Sequence, residues 1–329
     1  LVNPDDIRIK VDLKKPFPRS IISRQLSDFG YCLVKPSSTG ENALLEVAKH
    51  FGRIQRHERS RRNGVVDVTS DDRLQTQISE KFKGLGTARF GPHTDGAFLN
   101  AIYSDERGYK RHISPPSYLI LQCVQQAREG GESTLIDGQE VYRKVKALAP
   151  SIYQLLCEGI FHFVRSADKR LFPIEAPVFK VLANGNLSIR YREEFIVSTA
   201  YDGQRLRVAD ALRQFREQCI MHPDCGRPLM LTPGDVLIID NFRMLHGRAG
   251  FKVVDGHHRH LRRVWVMDEH HLIRLNGDEP WDITSEQGGL AEFRARVLPY
   301  DDGIVTSYGA LSGSDNHSNF IHAELGIKS

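Results

Sequence analysis

Thr232-Pro-Gly-Asp-Val-Leu-Ile-Ile-Asp240-Asn-Phe-Arg-Met-Leu-His246-Gly-Arg248 reads as a turn, a strand and a loop. Pro233 and Gly234 set the turn, residues 236–240 form a short apolar run, and Asp240 and Asn241 end it, which leaves His246 on the loop beyond. Similar strand-like runs occupy residues 118–124, 178–182, 187–191 and 261–267. Four short helices are expected from apolar spacing: Leu44, Val47, Ala48 and Phe51; Val141, Val145 and Leu148; Ile152, Leu155 and Leu156; and Leu212, Phe215 and Cys219. Several strands follow one another without an intervening helix, which disfavours an alternating βαβ sheet and suits an antiparallel barrel or sandwich with helices outside it. Neither a GxGxxG opening a helix nor a GxxxxGK[ST] loop is present, so nucleotide-binding α/β folds are disfavoured as well.

The chain has 329 residues, 40% of them hydrophobic, enough for a sizeable core in one large domain, and no block of Pro, Gly or Ser reads as a linker. A single domain over residues 1–329 is expected, with residues 303–329, rich in Gly, Ser, Asn and Asp, as a flexible surface tail. The net charge of +4 is a small difference between 45 basic and 41 acidic residues, so charge nominates no nucleic-acid partner. No run approaches the roughly 20 apolar residues of a bilayer crossing, and residues 1–10 lack the apolar core of a secretory signal. Five cysteines, never in a CxxC pair, argue against a disulfide framework or a thiolate zinc site. A reducing, cytoplasmic setting is expected.

Chemistry concentrates first in Phe90-Gly-Pro-His93-Thr-Asp95-Gly96. In extended chain, residues i and i+2 share a face, so His93 and Asp95 can reach one metal while Thr94 points away. An HxD alone reads more simply as a surface turn. Company comes from His246: two histidines and one carboxylate make the facial triad of non-haem Fe(II) oxygenases, which keeps coordination positions free for a co-substrate and O2. A third piece is Arg259-His-Leu-Arg-Arg263-Val-Trp-Val-Met267, where alternation places Arg259, Leu261, Arg263 and Trp265 on one face and Arg262 on the other. Arginine's planar fork suits a bidentate carboxylate contact in a partly dry cavity, whereas Arg262 reads as part of a basic exposed edge.

With these motifs in place the sequence resembles the taurine dioxygenase and clavaminate synthase superfamily of Fe(II)- and 2-oxoglutarate-dependent oxygenases. Asp28-Phe-Gly-Tyr-Cys-Leu-Val34 is similar to that family's opening strand, His50-Phe-Gly-Arg-Ile-Gln55 to the segment after its first helix, Gly130-Gly-Glu-Ser-Thr134-Leu135 to its glycine-threonine segment, and His246-Gly-Arg248 to its distal histidine. The resemblance implies a β-rich α+β fold, a double-stranded β-helix (jelly roll) flanked by helices. It implies Fe(II) bound by His93, Asp95 and His246. It assigns the distal carboxylate of 2-oxoglutarate to Arg259 and the Thr134 hydroxyl, with Arg263 as a second arginine for co-substrate or substrate. The spacing from His246 leaves Arg259 against Arg263 open, Arg259 being favoured, and a charged insert at residues 104–112 makes Thr134 less secure than the triad. Asp95 fills the position a halide would need, so hydroxylation, desaturation or ring closure is expected rather than halogenation.

Other signals are weaker. Five arginines between Arg53 and Arg62 could grip phosphate, but no aromatics interleave them and a solvated loop is the simpler reading. His257, His258, His260, His270 and His271 are adjacent pairs rather than spaced metal ligands. Arg192 and Asp202, between two apolar stretches, are substrate candidates for an amino acid or a derivative of one; a polar strand end is as good a reading. The expected partner is a small molecule, with no nucleic acid and no membrane, and a homo-oligomer is allowed. Two rivals share the ligand set: a nucleic-acid base demethylase, and a barrel that binds metal and 2-oxoglutarate without turnover.

Overall fold

The computed structural model describes residues 8–56, 60–71, 85–97, 101–104, 110–113, 115–158, 161–163, 174–181, 187–193, 196–197, 209–221, 225–268 and 305–306. The fold is β-rich with few helices, and the chain divides into two compact units. The first comprises Leu1–His93, Pro116–Asp137 and Gly226–Asp268; the second comprises Thr94–Pro115, Gly138–Cys225 and Glu269–Ser329.

In the first unit a large sheet runs in the order Arg8–Val11, Tyr31–Pro36, Val236–Asp240, Tyr118–Gln125 and His260–Met267, with Arg53–Arg56 and Val66–Thr69 both paired to the last. The Arg8–Val11 strand is parallel to its neighbour, and the other pairings are antiparallel. The Val236–Asp240 run carries no polar alternation because both its faces are covered. Val236 and Ile238 join Cys32, Val34, Ile120, Val264 and Val266 in a core that also takes Ile22 and Leu26 from helix Arg19–Phe29 and Leu44, Val47 and Ala48 from helix Glu41–Lys49. On the other face Leu33, Leu119, Leu237 and Ile239 are fully buried.

The second sheet of this unit is antiparallel, in the order Arg227–Leu229, Ser133–Asp137, Met244–Arg248 and Phe90–His93. His246 therefore stands on a strand, not on the loop its sequence suggests. The turn before it is held within three residues. Asp240 Oδ1 accepts the N–H of Phe242 at 3.0 Å, Asn241 Nδ2 donates to the Pro116 carbonyl at 2.9 Å, and Arg243 forks onto Asp137 at 2.6 and 3.1 Å. So tight a turn, held by these bonds, returns the chain to extended structure at Met244 and passes it from one sheet to the other.

Helix Arg19–Phe29 is absent from the four expected, although Ile22 and Leu26 are spaced for it. It ends at Gly30, whose φ of 75° and N–H to the Leu26 carbonyl at 2.8 Å cap it, so Asp28 and Phe29 belong to this helix and the opening strand starts at Tyr31. Arg262 also departs from expectation, because His260–Met267 is an interior strand. With Arg61, Glu41, Asp67 and His260 it forms a half-buried charge cluster: Arg61 meets Glu41 at 2.7 Å and Asp67 at 2.9 Å, and His260 Nε2 meets Asp67 at 2.8 Å. Burial alone would raise the Asp67 carboxyl, but the His260 hydrogen bond and the Arg61 charge hold it below its ordinary range. Arg61 is thus tied down, not a solvated phosphate grip. His257 and His258 bond to the Gln126 carbonyl and to Ser70, while His270 and His271 lie outside the described residues.

The second unit holds helices Gly138–Leu148 and Pro150–Cys157, a small sheet of Ile174–Ala176, Phe161–Phe163 and Ile196–Val197, and the hairpin of Phe179–Val181 with Leu187–Ile189. The fourth expected helix covers residues 209–214 and widens into a π-helical turn over Phe215–Ile220. Edge-to-face contacts of Phe215 with Phe179 at 5.6 Å and with Tyr191 at 5.3 Å centre the packing there. Within the charged insert, Ala101–Ser104 pairs with Lys110–Ile113. Among the described residues no helix is long and apolar enough to cross a membrane.

Candidate metal centre

Strands Phe90–His93 and Met244–Arg248 place His93 and His246 in register, with ring centroids 4.3 Å apart. Their backbones pass close: a Cβ at Gly247 would lie 2.9 Å from the Phe90 carbonyl oxygen, which explains the glycine between His246 and Arg248. His93 Nδ1–H donates to the Gly91 carbonyl at 2.9 Å, fixing the tautomer that leaves Nε2 as the ligand atom. Beyond the strand end, the Thr94 N–H donates to the Tyr191 carbonyl at 2.7 Å, and the Tyr191 N–H returns a bond to Thr94 Oγ1 at 3.1 Å. This exchange fixes Thr94 between His93 and Asp95. One ligand atom each from His93, Asp95 and His246 lies within 4.8 Å of the others, and all three residues are buried. Two imidazoles and a carboxylate at that separation, away from bulk water, fit one divalent cation with sites to spare.

Alternation sorts the remaining candidates. Leu135 opposes His246 and Ser133 opposes Arg248, so these four side chains share one face; Thr134, opposite Gly247, belongs to the other. A Cβ at Gly226 would meet Thr134 Cγ2 at 2.9 Å and Ile136 Cγ1 at 3.1 Å, which places Thr134 among the packing of that far face. The hydroxyl on the histidine side is that of Ser133, whose Oγ is 3.5 Å from Arg259 Nη2. The glycine-led segment thus turns Ser133, and not Thr134, toward Arg259 and the histidine face.

Arg259 lies just ahead of strand His260–Met267, beside a pairing irregularity where His260 opposes Gln125 and Leu261 opposes Cys123. It is 4% exposed, and its Nε donates to the Gly131 carbonyl at 2.9 Å and to Gln126 Oε1 at 3.1 Å. Gly131 has a φ of 79°, and a Cβ there would press on Arg259 Cδ at 3.0 Å, so the glycine makes room for the arginine. Arg263, on the strand itself, lies over the Trp265 ring at 5.5 Å.

Arg248 carries no motif that singles it out in the sequence. It is 7% exposed, Nη2 donates to the Ala88 carbonyl at 2.6 Å, and its guanidinium covers the Phe251 ring at 4.7 Å. Burial lowers the Arg248 pKa to about 10; burial and then the Arg248 charge lower that of Arg259 to about 10. Two-residue spacing from His246 is the signal that could have found it. Arg192 is buried in the second unit next to Tyr191, and Asp202 lies outside the described residues.

A family model, "Taurine catabolism dioxygenase TauD, TfdA family", matches residues 4–265. Gamma-butyrobetaine dioxygenase of Homo sapiens is 28% identical over 222 residues, covering 62% of this chain and 57% of the relative. FR-33289 synthase of Streptomyces rubellomurinus is 27% identical over 205 residues, covering 56% and 57%. The chain thus spans a little over half the length of these curated relatives. A crystal structure of asparagine oxygenase has a TM-score of 0.58 at 18% identity, covering 88% of this chain and 83% of that one. The non-heme iron oxygenase OrfP in complex with Fe and alpha-ketoglutaric acid has a TM-score of 0.53 at 19% identity, covering 78% and 82%. These likenesses show a shared fold.

Proposed function

Because the chain belongs to the TauD/TfdA family, we propose that it is an Fe(II)- and 2-oxoglutarate-dependent dioxygenase, acting from a double-stranded β-helix within a single domain spanning residues 1–329. The observation that carries the reading is the buried cluster of His93, Asp95 and His246. The three residues would hold Fe(II), which with 2-oxoglutarate and O2 supplies the oxidant for an unactivated C–H bond. The protein's own part is to orient: the Gly91 carbonyl fixes the His93 ring, and Arg259 with Ser133 receives the distal carboxylate of 2-oxoglutarate.

The substrate we propose is a free amino acid or a metabolite derived from one, and the product a hydroxylated, desaturated or cyclised form. Support comes from the names of similar proteins, a gamma-butyrobetaine dioxygenase, an asparagine oxygenase and an OrfP complex with (3S)-hydroxy-L-Arg, and from buried Arg192, which suits a substrate carboxylate. A cytoplasmic setting is part of the reading and is supported by five free cysteines.

Anaerobic titration of Fe(II) and 2-oxoglutarate tests the class. Expected is a weak visible charge-transfer band; well-folded protein without it overturns the assignment. The same titration discriminates the arginines. Arg259→Ala loses charge-assisted hydrogen bonds of about 1.5–3 kcal/mol and should raise the 2-oxoglutarate half-saturation by roughly 10–100-fold. Arg263→Ala should change it by less than about threefold, equivalent to well under 1 kcal/mol.

A further inference from the structure

We propose that Arg248 is a second guanidinium for the distal carboxylate of 2-oxoglutarate, so that Arg248, Arg259 and Ser133 form one seat selective for a diacid. The inference rests on the oxygenase reading above and assigns a residue to that same site.

Three observations converge on it. Arg248 and Arg259 are both buried, at 7% and 4% exposure, and Ser133 opposes the first and reaches the second. Among the described residues no Asp or Glu oxygen lies within ion-pair reach of either, whereas buried Asp235 in the same unit is fully paired. Arg248 Nε is buried without a hydrogen-bond partner among the described residues. Two like charges held out of water, one with an unanswered donor, are costly until an anion arrives.

Placement names the anion. Ser133 opposes Arg248 across the strand pair and its Oγ is 3.5 Å from Arg259 Nη2, so one residue stands next to both arginines. Arg248 follows His246 by two residues on the same strand face, about 6.6 Å along the strand. That is the reach of a five-carbon diacid with one end at the histidines. The Phe251 ring beneath Arg248 and the Ala88 carbonyl on Nη2 restrain the guanidinium before any ligand binds, which lowers the ordering cost of binding.

The test uses full-length protein loaded with Mn(II) in place of Fe(II) and titrated calorimetrically with 2-oxoglutarate and with 2-oxopentanoate, which has the same 2-oxoacid head but no distal carboxylate. In the wild type 2-oxoglutarate should bind far more tightly. Arg248→Gln should weaken 2-oxoglutarate by on the order of 10-fold or more and leave 2-oxopentanoate unchanged, collapsing the ratio. Equal weakening of both ligands makes Arg248 a tether for the Ala88 segment and overturns the proposal, as does an unchanged ratio. If the glutamine variant does not fold, Arg248→Lys carries the test: it keeps the charge but not the fork, and a ratio reduced by less than about threefold overturns the proposal. Wild-type protein with no saturable 2-oxoglutarate binding refutes the oxygenase reading instead.

Discussion

His246→Ala is expected to abolish the Fe(II)–2-oxoglutarate absorption band and all turnover while leaving the fold intact. The substitution removes one of three protein ligands. The loss of metal affinity should therefore exceed the roughly 10–100-fold that follows removal of an outer-shell partner. His93 and Asp95 remain, but two adjacent ligands from one segment cannot impose the facial arrangement that a third from a different strand completes. Stability should be little affected, because the strand Met244–Arg248 keeps its backbone pairing to both neighbours and the imidazole contributes no apolar core. Equilibrium dialysis against Fe(II), with a urea melt on the same sample, checks both halves. Retained stoichiometric Fe(II) binding would remove His246 from the metal centre. Arg259→Ala is the informative contrast, since it should keep the metal and lose the co-substrate.

Much of the candidate site is legible in the sequence, for a physical reason. A metal ligand must be a residue type with few other uses at a buried position, and two of the three lie within one HxD. The strands legible beforehand are those with both faces covered, such as Val236–Asp240, whose unbroken apolar run leaves no competing pattern. What depended on register was not legible. Ser133 and Thr134 are adjacent hydroxyls, and only the pairing of Ser133 with Arg248 decides which faces the histidines. The difference between Arg259, buried on the Gly131 carbonyl, and Arg263, laid over Trp265, is a matter of packing, and the strand position of His246 turns on side-chain hydrogen bonds to residues far along the chain. Helix Arg19–Phe29 was missed because only Ile22 and Leu26 are buried in it, too sparse a stripe to announce an 11-residue helix.

The second large effect is expected at Asp235, the first residue after the turn that opens the decisive stretch. Its side chain has no exposure, yet it is fully paired: Arg8 Nη2 donates at 3.0 Å, Lys35 Nζ stands at 3.2 Å, and Thr232 offers its N–H at 2.7 Å and its hydroxyl at 2.9 Å. These contacts fasten strands Arg8–Val11 and Tyr31–Pro36 to the Pro233-Gly234 turn. Asp235→Ala removes the acceptor shared by half-buried Arg8 and Thr232, so a loss of about 1.5–3 kcal/mol is expected, read as a lower urea midpoint. Burial alone would raise the Asp235 carboxyl; the Arg8 hydrogen bonds, those from Thr232 and the Arg8 charge together hold it below the ordinary range. A carboxyl depressed on folding contributes its full stability above the unfolded value of about 3.9 and loses it as pH falls through the folded value. Asp235→Asn should therefore flatten the acid limb of the stability profile, and an unchanged limb would place the acid sensitivity elsewhere, Asp67 being the next group depressed in the same sense. Asp235 and the turn that returns the chain toward His246 sit at opposite ends of one strand. The fraction of Asp235→Ala that remains folded should accordingly bind Fe(II) as the wild type does, the reverse of His246→Ala; a loss of affinity in that folded fraction would mean that the strand transmits strain from its structural end to its metal end.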